Sequence, residues 1–267
     1  MNTKFSVLMP VYKNDDMAFL KRAIDSLLNS SVKPDEIIVV VDGPIPKALD
    51  DALKSEPDLT VHYFDKNRGL GFVLADGVKL CKNKLIARMD ADDISDKDRF
   101  EKQVAYFEKN KSIDVLGGYI AEFDSDESNL KRERKVPLSH SDIINAANKR
   151  NPMNHVTVMF KKESVLKAGN YQDMLNFEDY YLWMRMLKGG SEFANLDDCL
   201  VNVRIAGLDN RRGGASYIKY EVKFFNTLLR EKMIRLDVFL ANMIKRVPVR
   251  LLGSGFRNFV YDKLLRK

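Results

Sequence analysis

Cysteine and long hydrophobic runs are scarce in this chain of 267 residues. Its two cysteines, Cys81 and Cys199, cannot build a disulfide framework, and no Cys/His group has the spacing of a zinc site. A reducing, cytoplasmic compartment fits this composition best. The first apolar run, residues 5–9, ends at Pro10, which is too short for the hydrophobic region of a signal peptide, and no stretch of about 18 apolar residues is present to span a bilayer. We therefore expect neither a signal peptide nor a transmembrane helix.

Two common nucleotide-binding signatures are also missing. Neither GxGxxG after the first apolar run nor GxxxxGK[ST] occurs, which disfavours a dinucleotide-binding or P-loop protein. Excess positive charge is missing from most of the chain. The net charge is +6, but residues 232–267 hold nine Lys/Arg against two Asp, so residues 1–231 carry a net −1. The pI of about 9.1 therefore comes from the C-terminal segment, and we expect no nucleic-acid partner.

Strand and helix signals alternate through the first 112 residues. We predict strands at 5–11, 36–42, 60–64 and 85–89, and helices at 17–28, 46–54, about 70–81 and 96–109. The strands are continuous apolar runs rather than alternating ones, which is typical of a parallel sheet covered on both faces. The fold class predicted for this half is α/β.

The pattern becomes mixed after about residue 113. Strand-like segments (DVLGGYIAEF, HVTVMF and CLVNVRI) are interspersed with short helical ones, residues 124–135 read as a charged loop, and the sequence is helical from about residue 216. We predict one domain over residues 1–215, with halves at 1–112 and 113–215, followed by a basic helical extension over 216–267.

The predicted strand ends carry anionic side chains among an aromatic, an arginine and glycines. In open parallel sheets, ligands bind at this carboxyl edge. Asp90 and Asp92 lie two apart on one such turn and can share a Mg²⁺ or Mn²⁺ ion, which keeps open positions for phosphate oxygens. Taken alone, this acidic turn also fits an ordinary surface loop. The edge consists of Pro10, Val11, Tyr12, Asp42, Gly43, Asn67, Arg68, Gly69, Asp90, Ala91, Asp92 and Asp93.

Five ordered segments resemble a known family: SVLMPVY, IVVVDG, NRGLG, ARMDADDIS and NFEDYYLWMR. Together they are similar to the glycosyltransferase family 2 pattern on the GT-A fold, over residues 3–215. The MDADDIS block and the RRGG near residue 211 most resemble enzymes of bacterial exopolysaccharide and O-antigen assembly. This resemblance implies inverting transfer of a sugar from a nucleotide diphosphate, by default UDP, to a hydroxyl of a lipid-linked saccharide, with Mn²⁺ or Mg²⁺ as cofactor.

The resemblance also assigns a nucleotide-sugar site. Asp92 would be the main metal ligand, with Asp90 nearer the ribose or the same metal, and Asp42 would accept a hydrogen bond from the base. The chain departs from the pattern at Val41, where many relatives have a second acidic residue. The residues expected to bind the nucleotide sugar are Pro10, Val11, Tyr12, Asp42, Asn67, Arg68, Gly69, Asp90, Ala91 and Asp92.

Two acidic residues, Glu178 and Asp179, precede a helical apolar pattern. Acidic residues in a first turn often only complement the helix dipole. The transfer, however, needs a base that takes the acceptor's proton. The resemblance places this base on Asp179, with Glu178 binding or orienting the acceptor. Trp183, on the same helix, is predicted to pack in the core.

Two further groups have open roles. Arg211 and Arg212 precede two glycines, so a mobile basic loop would close over the diphosphate and stabilise its developing charge, or it is simply a solvated loop. His155 stands at the start of a predicted strand, where it either lines the acceptor pocket or is structural.

The C-terminal segment, residues 232–267, combines a net +7 with apolar residues at helical spacing. We predict that Pro248 and the glycines near 254 divide it into short amphipathic pieces. Such pieces suit the anionic cytoplasmic leaflet of the inner membrane. The alternative is a helical pair packed on the catalytic domain.

Two other functions have weaker sequence support. A sugar-phosphate nucleotidyltransferase would need a loop rich in glycine and arginine after the first strand, where PVYKNDD stands. A non-catalytic binding protein for sugar nucleotides or glycolipids would not need both acidic pairs, DxD and ED, which are present here.

Overall fold

The protein is described by a computed structural model that covers residues 3–124, 126, 128–205 and 214–251. These residues form a nine-stranded mixed sheet with helices on its faces. The strands are β1 (Phe5–Val11), β2 (Glu36–Val41), β3 (Leu59–Tyr63), β4 (Leu85–Arg88), β5 (Ile94–Ser95), β6 (Ile113–Phe123), β7 (Arg132–Arg134), β8 (Met159–Lys161) and β9 (Glu192–Arg204). Their spatial order is β3-β2-β1-β4-β8-β6-β9-β5, with β7 beside β6.

The helices connect and cover these strands. They are α1 (Met17–Leu28), α2 (Lys47–Ser55), α3 (Leu70–Leu80), α4 (Arg99–Lys109), α5 (His140–Ala147), α6 (Lys162–Lys167), α7 (Glu178–Lys188), α8 (Ala215–Arg230) and α9 (Leu236–Leu251). A short 3-10 turn spans His155–Thr157. Within the described ranges, no helix is both long and apolar enough to cross a bilayer.

The first half of the sheet has the predicted parallel arrangement. β1 lies between β2 and β4, and β3 pairs with the outer side of β2, all in parallel. β1 and β2 are buried along nearly their whole length, as continuous apolar strands covered on both faces must be. The eight strands and helices predicted before residue 110 are therefore confirmed, with ends shifted by at most three residues. This arrangement aligns the strand ends on one edge.

The second half differs from the prediction at two points. Residues 132–134, expected in a charged loop, form β7, which pairs antiparallel with β6. The segment predicted as one strand over 155–160 begins instead with the 3-10 turn and forms β8 only at its end. The hydroxyl of Thr157 accepts the Gly118 N–H at 3.0 Å and donates to the Asn154 carbonyl at 2.8 Å. These buried bonds favour the turn over an extended backbone.

The C-terminal helices pack on the domain. Phe224 and Phe225 of α8 are fully buried, and Phe224 stacks on Phe177 with ring centroids 4.7 Å apart. Residues 215–251 thus form the helical pair packed on the domain that the alternative prediction described. Membrane binding by the same segment stays a prediction. Pro248 lies inside α9, so the prediction that it breaks the segment is wrong. Beyond it, buried Arg250 bonds buried Glu221 at 3.0 Å, which holds the last turn in place.

Candidate functional site

The donor edge of the site is the group of strand ends after β1, β2 and β3. Asp42 is buried there, and its two carboxylate oxygens accept the backbone N–H groups of Arg68 at 2.7 Å and Gly69 at 3.0 Å. The Asn67 amide donates to the Asp42 carbonyl at 3.2 Å. Gly43 has φ +84°, and a Cβ on it would lie 2.5 Å from the Asn67 nitrogen, so only glycine fits. Asp42 therefore fixes the 67–69 loop, and its bond to a nucleotide base stays a prediction.

The end of β1 lies beside this loop and is partly exposed. Val11 is buried, whereas Pro10 and Tyr12 are partly exposed at the strand's end. The Tyr12 N–H donates to the Asp15 carboxylate at 2.8 Å, and Asp16 caps α1 by accepting the Ala18 N–H at 2.8 Å. Both bonds fix the backbone that follows β1, so the aromatic ring is presented from a defined turn.

Arg68 is brought to the donor edge but already has partners. Its guanidinium lies 2.7 Å from the Asp76 carboxylate of α3 and stacks over the rings of Phe64 and Phe72 at 5.4 and 5.5 Å. The pair is partly exposed. A phosphate group would share this cation with Asp76.

The three aspartates after β4 have three different environments. Asp90 forms a two-bond ion pair with the buried guanidinium of Arg88. Asp93 is buried and accepts the backbone N–H of Arg204 at 2.9 Å, which ties the turn between β4 and β5 to the end of β9. Asp92 is partly exposed, with Arg204 Nη2 3.4 Å from its Oδ2. Of the three carboxylates, Asp92 is the most open to a ligand.

Electrostatics at this turn favour a bound cation. Burial, followed by repulsion from Asp90, raises the pKa of Asp92, and burial raises the pKa of Asp93 well above its usual range. A divalent ion would relieve this repulsion, and carboxylate oxygens suit Mg²⁺ or Mn²⁺. The described residues contain no cluster of three His, Cys, Asp or Glu side chains fit to hold a metal alone. The donor set thus fits an ion that completes its coordination with phosphate oxygens.

Arg88 was not identified from the sequence as a site residue. Arg99, which is fully buried, donates to the Arg88 carbonyl at 2.8 Å and to Gln103 at 3.1 Å. Gln103 in turn donates to the carbonyls of Leu116 and Thr157. This buried network fixes the backbone at the end of β4 through the Arg88 carbonyl. The available signal was an arginine inside a buried strand, which must have a partner.

On the acceptor side, Glu178 and Asp179 form the first turn of α7. Asp179 Oδ2 accepts the Nδ2–H of Asn151 at 2.5 Å. Burial raises the pKa of Asp179, and burial, followed by repulsion from Asp179, raises the pKa of Glu178 to about 7. A Cβ on Gly71 of α3 would lie 3.1 Å from Glu178 Cγ, so this glycine lets α7 approach the donor half. Sequence reasoning missed Asn151; no local pattern links it to Asp179.

His155 packs against Trp183 of α7, the helix that carries Glu178 and Asp179. Its Nε2 is 2.8 Å from the hydroxyl of Tyr171, and its ring meets that of Trp183 edge-on, with centroids 6.0 Å apart. Burial lowers the pKa of His155 well below its ordinary value, so the imidazole is neutral. Trp183 is fully buried, which confirms its predicted core role. A contact of His155 with an acceptor stays a prediction.

The two sides share one cation. The charge of Arg88 lowers the pKa values of Asp92 and Asp179, partly offsetting the larger effect of burial on each. Arg88 is thus close enough to Asp92 and to Asp179 for its charge to act on both predicted carboxylates. Arg211 and Arg212 lie outside the described residues, so their predicted contact with the diphosphate is not addressed by the structure.

Known proteins show close relationships to this chain. A family model described as glycosyl transferase family 2 matches residues 6–169. The chain is 37% identical over 264 residues to the amylovoran biosynthesis glycosyltransferase AmsE of Erwinia amylovora, covering 97% of this chain and 98% of that protein. It is 35% identical over 268 residues to the UDP-Gal:alpha-D-GlcNAc-diphosphoundecaprenol beta-1,3-galactosyltransferase of Escherichia coli, covering 99% and 97%.

Solved structures share the fold at much lower identity. The mannosyltransferase PcManGT from Pyrobaculum calidifontis, in complex with GDP-Man and Mn²⁺, matches with a TM-score of 0.68 at 14% identity, over 99% of this chain and 76% of that one. TarS of S. aureus, in complex with UDP-GlcNAc, matches with a TM-score of 0.65 at 16% identity, over 98% and 72%. These similarities confirm the predicted GT-A fold.

Proposed function

Because the chain belongs to glycosyltransferase family 2, we propose that it transfers a hexose or N-acetylhexosamine from a UDP-sugar to a hydroxyl of a lipid-linked saccharide. The transfer would invert the anomeric centre and serve bacterial surface-polysaccharide assembly, as O-antigen, capsule or exopolysaccharide. The observation that carries the proposal is a pair of carboxylates, Asp92 and Asp179, that both respond to the charge of Arg88. Asp92 is partly open on the donor side, and Asp179 is held by Asn151 on the acceptor side.

The relatives support the choice of substrates. The E. coli relative, aligned over nearly its full length, acts by its name on UDP-Gal and a GlcNAc-diphosphoundecaprenol. We therefore rank UDP-galactose first among candidate donors and a sugar linked through a diphosphate to a long lipid first among acceptors. AmsE and the WbnJ protein of O-antigen synthesis, the latter 32% identical over 86% of this chain, support surface-polysaccharide assembly.

The donor side would bind the nucleotide sugar and a divalent ion. Asp92 would hold Mn²⁺ or Mg²⁺, while Arg88 keeps Asp90 turned toward the same edge. When bound, the ion supplies positive charge that offsets the charge developing on the diphosphate. Tyr12 and Pro10 would contact the base, and the loop fixed by Asp42 would approach the nucleotide through Arg68.

The acceptor side would perform the proton transfer. Asp179, ionised, would accept the proton of the acceptor hydroxyl as that oxygen bonds to the anomeric carbon and the bond from this carbon to the diphosphate breaks. The proton ends on the Asp179 carboxylate and the electron pair of the broken bond leaves with the UDP. Attack from the face opposite the diphosphate inverts the centre, so common α-linked donors would give β products. Glu178 and His155 would line the acceptor pocket.

We also place the protein at the cytoplasmic face of the inner membrane as a peripheral protein. A lipid-linked acceptor presents its sugar at that surface. Residues 232–267 carry a net +7, which suits the anionic leaflet.

A donor panel tests the proposal. The pure protein is incubated with Mn²⁺, a synthetic GlcNAc-diphosphate-lipid and each of several UDP- and GDP-sugars, and both released nucleotide and product are measured. We expect turnover with a UDP-sugar and a β-linked product by NMR. A binding protein would show donor affinity without turnover. A nucleotidyltransferase would consume a nucleoside triphosphate and a sugar 1-phosphate. Either result, or an α product, would contradict the proposal.

A further inference from the structure

One side of α9 is exposed and apolar. Leu236, Leu240 and Ile244 follow one another at four-residue spacing with 59, 49 and 73% of their surface exposed. This spacing aligns them along one stripe of the helix. Ala241 and Pro248 are exposed beside them. We call these five residues the α9 face. An aligned stripe of large exposed apolar side chains marks an interaction surface rather than ordinary scatter.

Basic side chains border the α9 face. Exposed Lys245 lies next to Ile244, and exposed Lys232 and Arg235 stand at the turn between α8 and α9. Arg235 shares its charge with exposed Asp237, whose Oδ1 lies 3.0 Å from the Arg235 Nε. A surface cavity of about 410 Å³ opens at this turn, with Lys232 and Arg235 in its wall together with Asn148 and four apolar side chains. The combination of an apolar wall and cationic side chains suits a group with an anionic head and a hydrocarbon part.

Lys232 is held at this turn in an unusual conformation. Its φ is +56°, and it ends α8 with its N–H bonded to the Leu229 carbonyl at 3.0 Å, while the Met233 N–H bonds the Leu228 carbonyl at 2.8 Å. Helices that end in this way most often have glycine at the left-handed position. The backbone at Lys232 is therefore held by two hydrogen bonds, while its side chain is exposed.

The opposite side of α9 contacts the acceptor half of the site. The Asn242 amide donates to the Asn148 carbonyl at 2.9 Å, and Arg246 donates to the Lys149 carbonyl. Asn148 and Lys149 lie three and two positions before Asn151, whose amide donates a hydrogen bond to Asp179. An α-helix is about 10 Å across. A surface that contacts the α9 face therefore lies about one helix diameter from the segment that positions the proposed base.

We propose that the α9 face is a bilayer-docking surface. Its leucines and isoleucine enter the boundary between headgroups and acyl chains, and Lys232, Arg235 and Lys245 contact lipid phosphates. This inference rests on the proposed lipid-linked acceptor and deepens it by naming the surface. Charge selects the occupant: residues 232–267 carry +7, which attracts an anionic leaflet and opposes symmetric contact with a second copy. Docking through this face brings the acceptor side of the site next to the membrane.

Sedimentation of the full chain with liposomes tests the surface. One variant carries Leu236→Ser, Leu240→Ser and Ile244→Ser. The control carries Leu80→Ser, Leu130→Ser and Leu166→Ser, three leucines of 40, 49 and 40% exposure elsewhere on the molecule. Using vesicles of phosphatidylglycerol and phosphatidylcholine at low salt, we expect at least a roughly tenfold loss of binding for the α9 variant and none for the control. The intact chain should bind weakly to vesicles of phosphatidylcholine alone. High salt should likewise weaken its binding to the anionic vesicles.

Two further measurements separate this inference from the proposed function. Donor binding and transfer to a water-soluble acceptor lacking the lipid should be unchanged in the α9 variant. Suppose that the intact chain transfers no sugar but binds liposomes, and that the α9 variant does not bind them. The docking surface is then supported and the proposed function is contradicted. Equal liposome binding by the α9 variant and the intact chain would overturn the inference. So would an intact chain that never binds, or a stable dimer that the α9 variant dissociates.

Discussion

The donor and acceptor sides of the site give their carboxylates different partners. On the donor side, Asp90 is paired with Arg88, Asp92 lies beside Arg204, and Asp42 accepts two backbone N–H groups. On the acceptor side, Asp179 accepts a hydrogen bond from a neutral amide, and burial raises the pKa values of Asp179 and Glu178.

This difference matches two kinds of chemistry. Carboxylates bonded by cations and N–H groups are held in place, as is needed to organise a metal ion and a diphosphate. On the acceptor side, burial raises the pKa of Asp179, which makes this carboxylate a stronger proton acceptor. The sides meet at Arg88, whose charge favours ionised Asp179, so the donor half helps keep the proposed base deprotonated.

The largest effect is expected at Asp92. Asp92→Asn removes the open carboxylate of the donor side, so transfer should fall at least about 10³-fold and donor affinity should weaken, since the ion links protein and diphosphate. EDTA should have the same effect on the wild type, reversed by Mn²⁺ or Mg²⁺. The control is Asp51→Asn, a change to an exposed aspartate on α2. Full activity in EDTA would show that the donor side works without a divalent ion.

A smaller effect is expected at Asn151, on the acceptor side. Asn151→Ala removes the hydrogen bond that lowers the pKa of Asp179. We expect kcat to fall about 10- to 100-fold, with the acid limb of the pH profile moved to higher pH and donor affinity unchanged. Asn148→Ala is the matched control, because its amide bonds only the Ile144 carbonyl at 3.2 Å. A loss of donor affinity with kcat unchanged would contradict the assignment of Asn151 to the acceptor side.

The raised pKa of Glu178 should appear in stability. The folded-state pKa of about 7 exceeds the ordinary 4.5, so the folded state binds more protons between these values and stability falls as pH rises from about 4.5 to 7. Glu178→Gln should remove this fall, which is on the order of 3 kcal/mol. Urea unfolding at a series of pH values measures it. An unchanged slope in the variant would mean that Glu178 is not desolvated as the structure has it.

The smallest effect is expected at Arg68. Its charge is shared with Asp76 at a partly exposed position, so Arg68→Met should weaken donor binding only about two- to fivefold, equivalent to about 0.4–1 kcal/mol. Titration calorimetry with UDP measures this. A hundredfold loss would show that Arg68 leaves Asp76 and bonds the nucleotide directly.

The sequence predicted the donor side better than the acceptor side. Elements before residue 110 are continuous apolar runs separated by turn residues, so local pattern and burial agree. β7 was missed because charged Arg132–Arg134 becomes a strand only through pairing with β6. Helix α9 continues through Pro248 because its last turn is held by Glu221, far away in sequence. Asn151 likewise acts through a single contact with a residue 28 positions away, which no periodicity encodes.

The most direct test of the division between the two sides is Asp179→Asn. The amide keeps the size of the side chain but cannot take the acceptor's proton. We therefore expect UDP-sugar affinity close to that of the wild type, while transfer falls about 10²–10⁴-fold, as for loss of a general base. Normal transfer by Asp179→Asn, above all if Glu178→Gln is inactive, would contradict the assignment of the base to Asp179.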